Sequence, residues 1–187
     1  MKNVFVLLLI VLSSYLMAQN KPFPSYTNYS TGSIFVDHIH FQKQKEIVTK
    51  FYEQWKKQYI VNGCSTNEYY VFYNFEGKIT PKNAISVSEA QGYGMIITSL
   101  MAGYDPDAKK IFDGMYQYVK SHPAESDSAL MSWQQLEDCK EPKYRGAATD
   151  GDLDIVYALL MADQQWGSAG DINYKREAIS RLHAVLK

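Results

Sequence analysis

The chain has 187 residues, of which 46% are hydrophobic and 21% charged, with a formal net charge of −1. This is the composition of a globular protein, and it excludes a disordered, collagen-like or low-complexity chain. A charge near zero leaves no basic footprint for nucleic acid, and two cysteines are too few for a disulfide-rich miniprotein or a four-cysteine zinc site.

Lys2 is the only charge in the opening stretch, and Val4 to Leu12 is an unbroken apolar run. A basic start, a short apolar core and a small residue at Ala18 predict a secretory signal peptide over 1–18. The run falls short of the ~20 apolar residues that span a bilayer. Cleavage removes Lys2 and no acidic residue, taking the charge from −1 to −2. The expected location is secreted or periplasmic, with no membrane association after cleavage. In such an oxidising compartment Cys64 and Cys139 are candidates for a disulfide. Closing a loop of about 75 residues is worth about 4 kcal/mol in the chain-entropy model.

Residues 19–37 hold Pro22, Pro24, Gly32 and many polar residues without periodicity, and read as an extended arm. From His38 to Tyr59 apolar residues recur at spacings of three and four, which predicts a helix stopped by Gly63. Tyr69 to Tyr73 is aromatic and β-branched and reads as extended. Residues 74–81 read as a turn. Ser88 followed by Gln91 matches a capping box, and opens a helix to about Met101. Asp105-Pro106 is expected to begin the next helix, with Pro106 at its first position, running to His122. A shorter segment follows from Ala129 to Leu136, then a loop over 141–148. The strongest helix pattern is Asp150 to Trp166, capped by Thr149 or Asp150 and closed by Gly167. The last helix runs from Asp171 to Leu186. Helices at this spacing predict an all-α array of antiparallel pairs over 38–187.

Two acidic helix starts are candidates for chemistry. Glu89 is followed by Gln91-Gly92-Tyr93-Gly94-Met95, and two glycines in a helical window cost ~1 kcal/mol each against Ala. Such a cost implies close approach of a backbone or ligand. Complementing the helix dipole is the alternative role for Glu89. The second start is Asp150-Gly151-Asp152-Leu153-Asp154. A calcium loop would need Gly at the position of Ile155 and Glu at that of Met161, so the match fails. In a helix starting at Asp150, Asp150 and Asp154 share a face and Asp152 points away. His38, His40, His122 and His183 are scattered without metal-ligand spacing, so no metal and no cofactor is expected. Trp133 stands in a polar segment, as either a core plug or a stacking platform. Fifteen tyrosines and 14% aromatic residues suit a carbohydrate binder, because sugar rings stack on aromatic faces, although aromatic stripes also build cores.

Several of these segments occur together in a known order. Ser88-Glu89-Ala90-Gln91-Gly92-Tyr93-Gly94-Met95, Ala102-Gly103-Tyr104-Asp105, Ala148-Thr149-Asp150-Gly151-Asp152-Leu153-Asp154-Ile155 and Ala162-Asp163-Gln164-Gln165-Trp166-Gly167 resemble glycoside hydrolase family 8. Lys21-Pro22-Phe23-Pro24 is similar to the mature start of its bacterial chitosanases and β-glucanases. Ala90 departs from the usual Gly and Val156 from the usual Ala. The resemblance implies an (α/α)6 toroid-type helical barrel and inverting, endo-acting hydrolysis of β-1,4-linked polysaccharide, with chitosan or β-glucan favoured and xylan an alternative. It implies Glu89 as the general acid, Asp150 as a hydrogen-bond partner of the distorted sugar, and Trp133, Tyr93 and Asp152 as substrate-binding residues. A general acid must hold its proton at the working pH; a helix N-terminus opposes this, while burial and a neighbouring carboxylate favour it.

A helical hairpin takes ~30–50 residues, so six need roughly 200–300. The 38–187 segment is expected to supply about three, with the catalytic base of the family lying beyond Lys187. An inverting enzyme needs that second carboxylate ~6.5–9.5 Å from the acid. The expectation is therefore a partial catalytic domain, truncated at the C-terminus, with an exposed apolar patch and monomeric at full length. The competing expectation is a non-catalytic carbohydrate-binding remnant.

Overall fold

The computed structural model describes residues 31–32, 38–73, 84–136 and 141–187. The signal peptide, most of the arm, the 74–81 turn and Cys139 lie outside the described residues.

The order of elements is helix α1 (Phe41–Tyr59), strands β1 (Ile60–Asn62), β2 (Tyr69–Val71) and β3 (Ser86–Val87), helix α2 (Ser88–Leu100), a 3-10 turn (Met101–Gly103), helix α3 (Ala108–Ser121), strand β4 (Gln134–Gln135), and helices α4 (Thr149–Trp166) and α5 (Tyr174–Val185). The predicted helical array is present. β1 and β2 form one antiparallel pair, with Ile60 opposite Val71, and β3 and β4 form another, with Ser86 opposite Gln135.

α1 starts at His40, whose side chain accepts from the Gln42 amide, and stops at Tyr59, before Gly63. It stops early because Ile60 to Asn62 are taken up by pairing with β2. The Ser88–Gln91 capping box does not form. The Ser88 amide donates to the Trp133 carbonyl at 3.0 Å, so α2 opens on a backbone partner. The Gln91 side chain is buried instead, accepting from the Val71 amide and donating to the Tyr69 and Met115 carbonyls at 3.0–3.1 Å. α3 begins at Ala108 and Pro106 lies in the turn before it, because the Asp105 carboxylate accepts from the Asp107 amide at 2.9 Å. Residues 129–136 contain no helix; the segment bridges to Pro123 and Ala147 and ends in β4. The cap of α4 is Ala148, without a side-chain bond, and Gly167 closes the helix at φ 73°, a conformation glycine adopts freely.

α2 and α4 run parallel. Gly151 lies beside Ser88 and Glu89, Gly92 beside Asp154 and Ile155, and the Gln165 side chain donates to the Ser99 carbonyl at the far end. α3 and α5 also run parallel, since Tyr174 meets Asp113 and Tyr116 meets Glu177. The chain is thus two antiparallel helix pairs side by side, preceded by α1. Their shared core holds Met95, Phe112, Met115, Tyr118, Ile155, Leu159 and Tyr174, with Ala158 and Ala162 allowing close helix contact. Phe112 packs edge-on against Trp166 and Tyr174, with ring centroids 5.2 and 5.6 Å away. Leu153, Tyr157 and Leu160 leave an exposed apolar stripe along α4, and Ile179, Leu182 and Leu186 another along α5 and the residue after it. Spacings of three and four residues put each stripe on one helix face.

Candidate active site

The two acidic helix starts meet because two glycines let their helices touch. A Cβ on Gly151 would stand 2.3 Å from the Ser88 Oγ and 2.7 Å from the Glu89 backbone nitrogen. One on Gly92 would stand 2.5 Å from the Asp154 Cβ. Neither position tolerates a side chain without moving α2 from α4. The glycines that weaken each helix locally therefore place Glu89 and Asp150, both exposed and in the first turns, at the same end of adjacent parallel helices.

Tyr93, one turn along α2 from Glu89, is half exposed. The charges of Asp154, Glu89 and Asp150 together push its hydroxyl above the ordinary tyrosine range. Asp154 is also held above the usual carboxylate range, by partial burial and then by Glu89 and Asp150. Four side chains from two helices thus share one electrostatic environment. Asp154 shares the helix face of Asp150 but lay outside the residues expected to bind or act; its i, i+4 spacing was the available signal.

Trp133 sits at the same end. Its amide donates to the Gly146 carbonyl at 2.8 Å, just before α4, and its carbonyl takes the Ser88 amide that opens α2. Its side chain is 43% exposed, whereas Trp166 packs into the core. This exposure excludes the role of a core plug for Trp133.

Asp152 requires a correction. It is fully buried, forms an ion pair with Arg181 of α5, and accepts from the Met131 amide at 3.0 Å. It faces away from Glu89 because two residues along a helix turn the side chain by about 200°, so it has no surface to offer a sugar. Burial pushes its carboxyl up, against the pull of Arg181 and the Met131 amide. Cys64 is disulfide-bonded; Cys139, its expected partner, lies outside the described residues.

The sequence profile of the family described as "Glycosyl hydrolases family 8" matches residues 25–186. The chain belongs to this family. It is 42% identical over 180 residues to a beta-glucanase of Niallia circulans, covering 96% of this chain and 42% of that protein. It is 41% identical over 169 residues to an endoglucanase of Bacillus sp. strain KSM-330, covering 89% and 36%. The apo structure of a beta-1,3-1,4-glucanase from Paenibacillus sp. X4 superposes with a TM-score of 0.81 at 43% identity, over 90% of this chain and 43% of that one. The family 8 fold expected from the sequence, the (α/α)6 barrel, is the fold this chain contributes to. The chain spans less than half the length of these relatives.

Proposed function

We propose that this family 8 chain carries the acid side of an endo-acting, inverting β-glucanase site. The observation behind this reading is the placement of Glu89 and Asp150 on the first turns of two parallel helices locked by Gly92 and Gly151, with exposed Trp133 bonded to the first residue of α2 and to Gly146 in the loop before α4. In this reading a glucan strand stacks on Trp133, which is flat and apolar enough to take a sugar ring. Glu89 protonates the glycosidic oxygen as the bond to the anomeric carbon breaks. Asp150 accepts a hydrogen bond from a hydroxyl of the sugar at the cleavage point. Tyr93 stands one turn along α2 from Glu89, within the same group of acidic side chains as Asp150 and Asp154. Water attack from the opposite face requires a further carboxylate ~6.5–9.5 Å from the acid, and none of the residues assigned here takes that role.

The names of the relatives favour β-glucan over chitosan or xylan. Export by residues 1–18 fits a polymeric substrate that cannot enter a cell.

The test uses the intact protein with lichenan, carboxymethyl cellulose, soluble chitosan and xylan in parallel, following reducing ends and, by NMR, product anomers. Glu89→Gln is expected to lose ~10²–10⁴-fold in turnover while still binding cello-oligosaccharides, because the amide keeps the shape but cannot give up a proton. Full activity of Glu89→Gln, or retention of anomeric configuration, overturns the mechanism. Hydrolysis confined to chitosan or xylan overturns the substrate.

A further inference from the structure

We propose that Arg181 and Asp152 are positioning residues for Trp133: the buried ion pair between α5 and α4 sets where the tryptophan stands beside Glu89. The inference rests on the reading of Trp133 as a sugar platform.

Residues 129–133 are not helical, so each buried amide in them needs its own partner. The Leu130 amide donates to the Asp127 carbonyl, the Ser132 amide to the His122 carbonyl and the Trp133 amide to the Gly146 carbonyl. The Met131 amide is met by a side chain, the Oδ1 of Asp152. That same oxygen takes the Arg181 Nη1. Met131 and Asp152 are both fully buried and Arg181 is 2% exposed, so water replaces none of these contacts. A carboxylate buried in this way is costly unless paired, and Arg181 is the cation that pairs it.

A second contact ties the same segment to α5. Leu130 packs in a small apolar cluster with Ala124 and Ala184, and Ala184 is three residues from Arg181 on α5. One face of α5 therefore holds Leu130 directly and Met131 through Asp152. Two residues later the chain presents Trp133 to solvent. Among the described residues, the Oδ2 of Asp152 and the Nε of Arg181 have no hydrogen-bond partner.

The experiment compares the intact protein with Arg181→Met, Arg181→Lys, Asp152→Asn/Arg181→Met, Trp133→Ala and Arg181→Met/Trp133→Ala. Labelling with 5-fluorotryptophan gives a 19F resonance for Trp133, assigned by its loss in Trp133→Phe. Arg181→Met is expected to shift or broaden that resonance and to raise KM for a long gluco-oligosaccharide by about three- to tenfold, the scale of one aromatic contact, with kcat little changed. The Asn/Met double variant keeps an acceptor for the Met131 amide without a buried charge, and is expected to restore both readouts. Arg181→Met/Trp133→Ala should be no worse in KM than Trp133→Ala alone. A fall in Tm with the Trp133 resonance unmoved overturns the proposal. If Arg181→Met does not fold, Arg181→Lys carries the measurement, and an unmoved resonance there overturns it equally. If Trp133→Ala leaves KM unchanged, the platform reading fails, while the 19F resonance still decides whether the ion pair positions the ring.

Discussion

The two ends of the parallel α2–α4 pair use the same kinds of side chain in opposite ways. At the C-terminal end the Gln165 amide and the Asp105 carboxylate are answered from within. Gln165 donates to the Ser99 carbonyl at 3.0 Å, and just beyond α2 the Asp105 carboxylate takes the Lys56 ammonium and the Tyr52 hydroxyl, both at 2.7 Å, and the Asp107 amide. At the N-terminal end Glu89, Asp150 and Asp154 gather, and among the described residues none of them is ion-paired. The titration directions follow. Burial opposes ionisation of Asp105, yet Lys56, Tyr52 and the Asp107 amide hold its carboxyl below the usual range. Burial and like charge hold Asp154 above it. A carboxylate ion-paired in the folded chain contributes stability, whereas carboxylates clustered without a cation are the pattern found often at functional sites.

The comparison depends first on the glycine contact that sets the N-terminal end. Gly151→Val drives a side chain into the Ser88 Oγ and the Glu89 backbone. It is expected to destabilise the fold by about 3 kcal/mol or more, read as a lower midpoint in urea unfolding, with activity lost alongside. Gly146→Ala is the matched control. Its added Cβ would meet nothing closer than Trp133 Cδ1 at 3.8 Å, so a change within about 0.5 kcal/mol is expected. Equal tolerance at both positions would mean that the α2–α4 approach does not depend on Gly151.

The compensated end is tested at Asp105. Asp105→Ala strands Lys56 and the Tyr52 hydroxyl and is expected to cost about 2–3 kcal/mol, below the range for fully buried pairs because Lys56 is partly exposed. The pH dependence has a definite sign. With the folded pKa depressed, the stabilisation is complete above the unfolded value near 4 and is lost as pH falls through the lower folded value. Asp105→Asn should therefore flatten the acid limb of Tm against pH below about pH 4. An unaltered acid limb would remove Asp105 as the contrast to the open end.

Much of this contrast was legible in the sequence. Apolar spacing for α1, and capping, Pro and Gly signals for the rest, located the five helices found among the described residues, and the i, i+4 rule put Asp150 and Asp154 on one face with Asp152 turned away. What escaped was the identity of distant partners. Ser88 and Gln91 have the chemistry of a capping box, but the Trp133 carbonyl, 45 residues on, took the Ser88 amide and freed Gln91 for β2 and α3. Asp152 belongs to a motif full of acids, and only the placement of Arg181 showed that its role is internal. The Trp133 segment has no periodicity of its own, because its hydrogen bonds go to four separate parts of the chain.

The smallest expected effect is the most direct measure of the uncompensated end. Asp154 is only partly buried, so solvent screening limits its influence to a few tenths of a kcal/mol. Its folded pKa lies above the unfolded one, because burial, Glu89 and Asp150 all disfavour the charged form. Between the two values the native state holds more proton than the unfolded state, so stability falls as pH rises through that window. Asp154→Asn removes the titration and leaves an amide of the same shape. The variant should match the parent below about pH 4 and become slightly more stable than it at neutral pH, read as the difference between the two curves of Tm against pH. It should also lower the Tyr93 hydroxyl toward its ordinary range, visible in the ultraviolet phenolate titration, since Asp154 is the foremost charge raising it. A parent more stable than Asp154→Asn at neutral pH would show that Asp154 is compensated after all, and the two ends of the pair would no longer differ in kind.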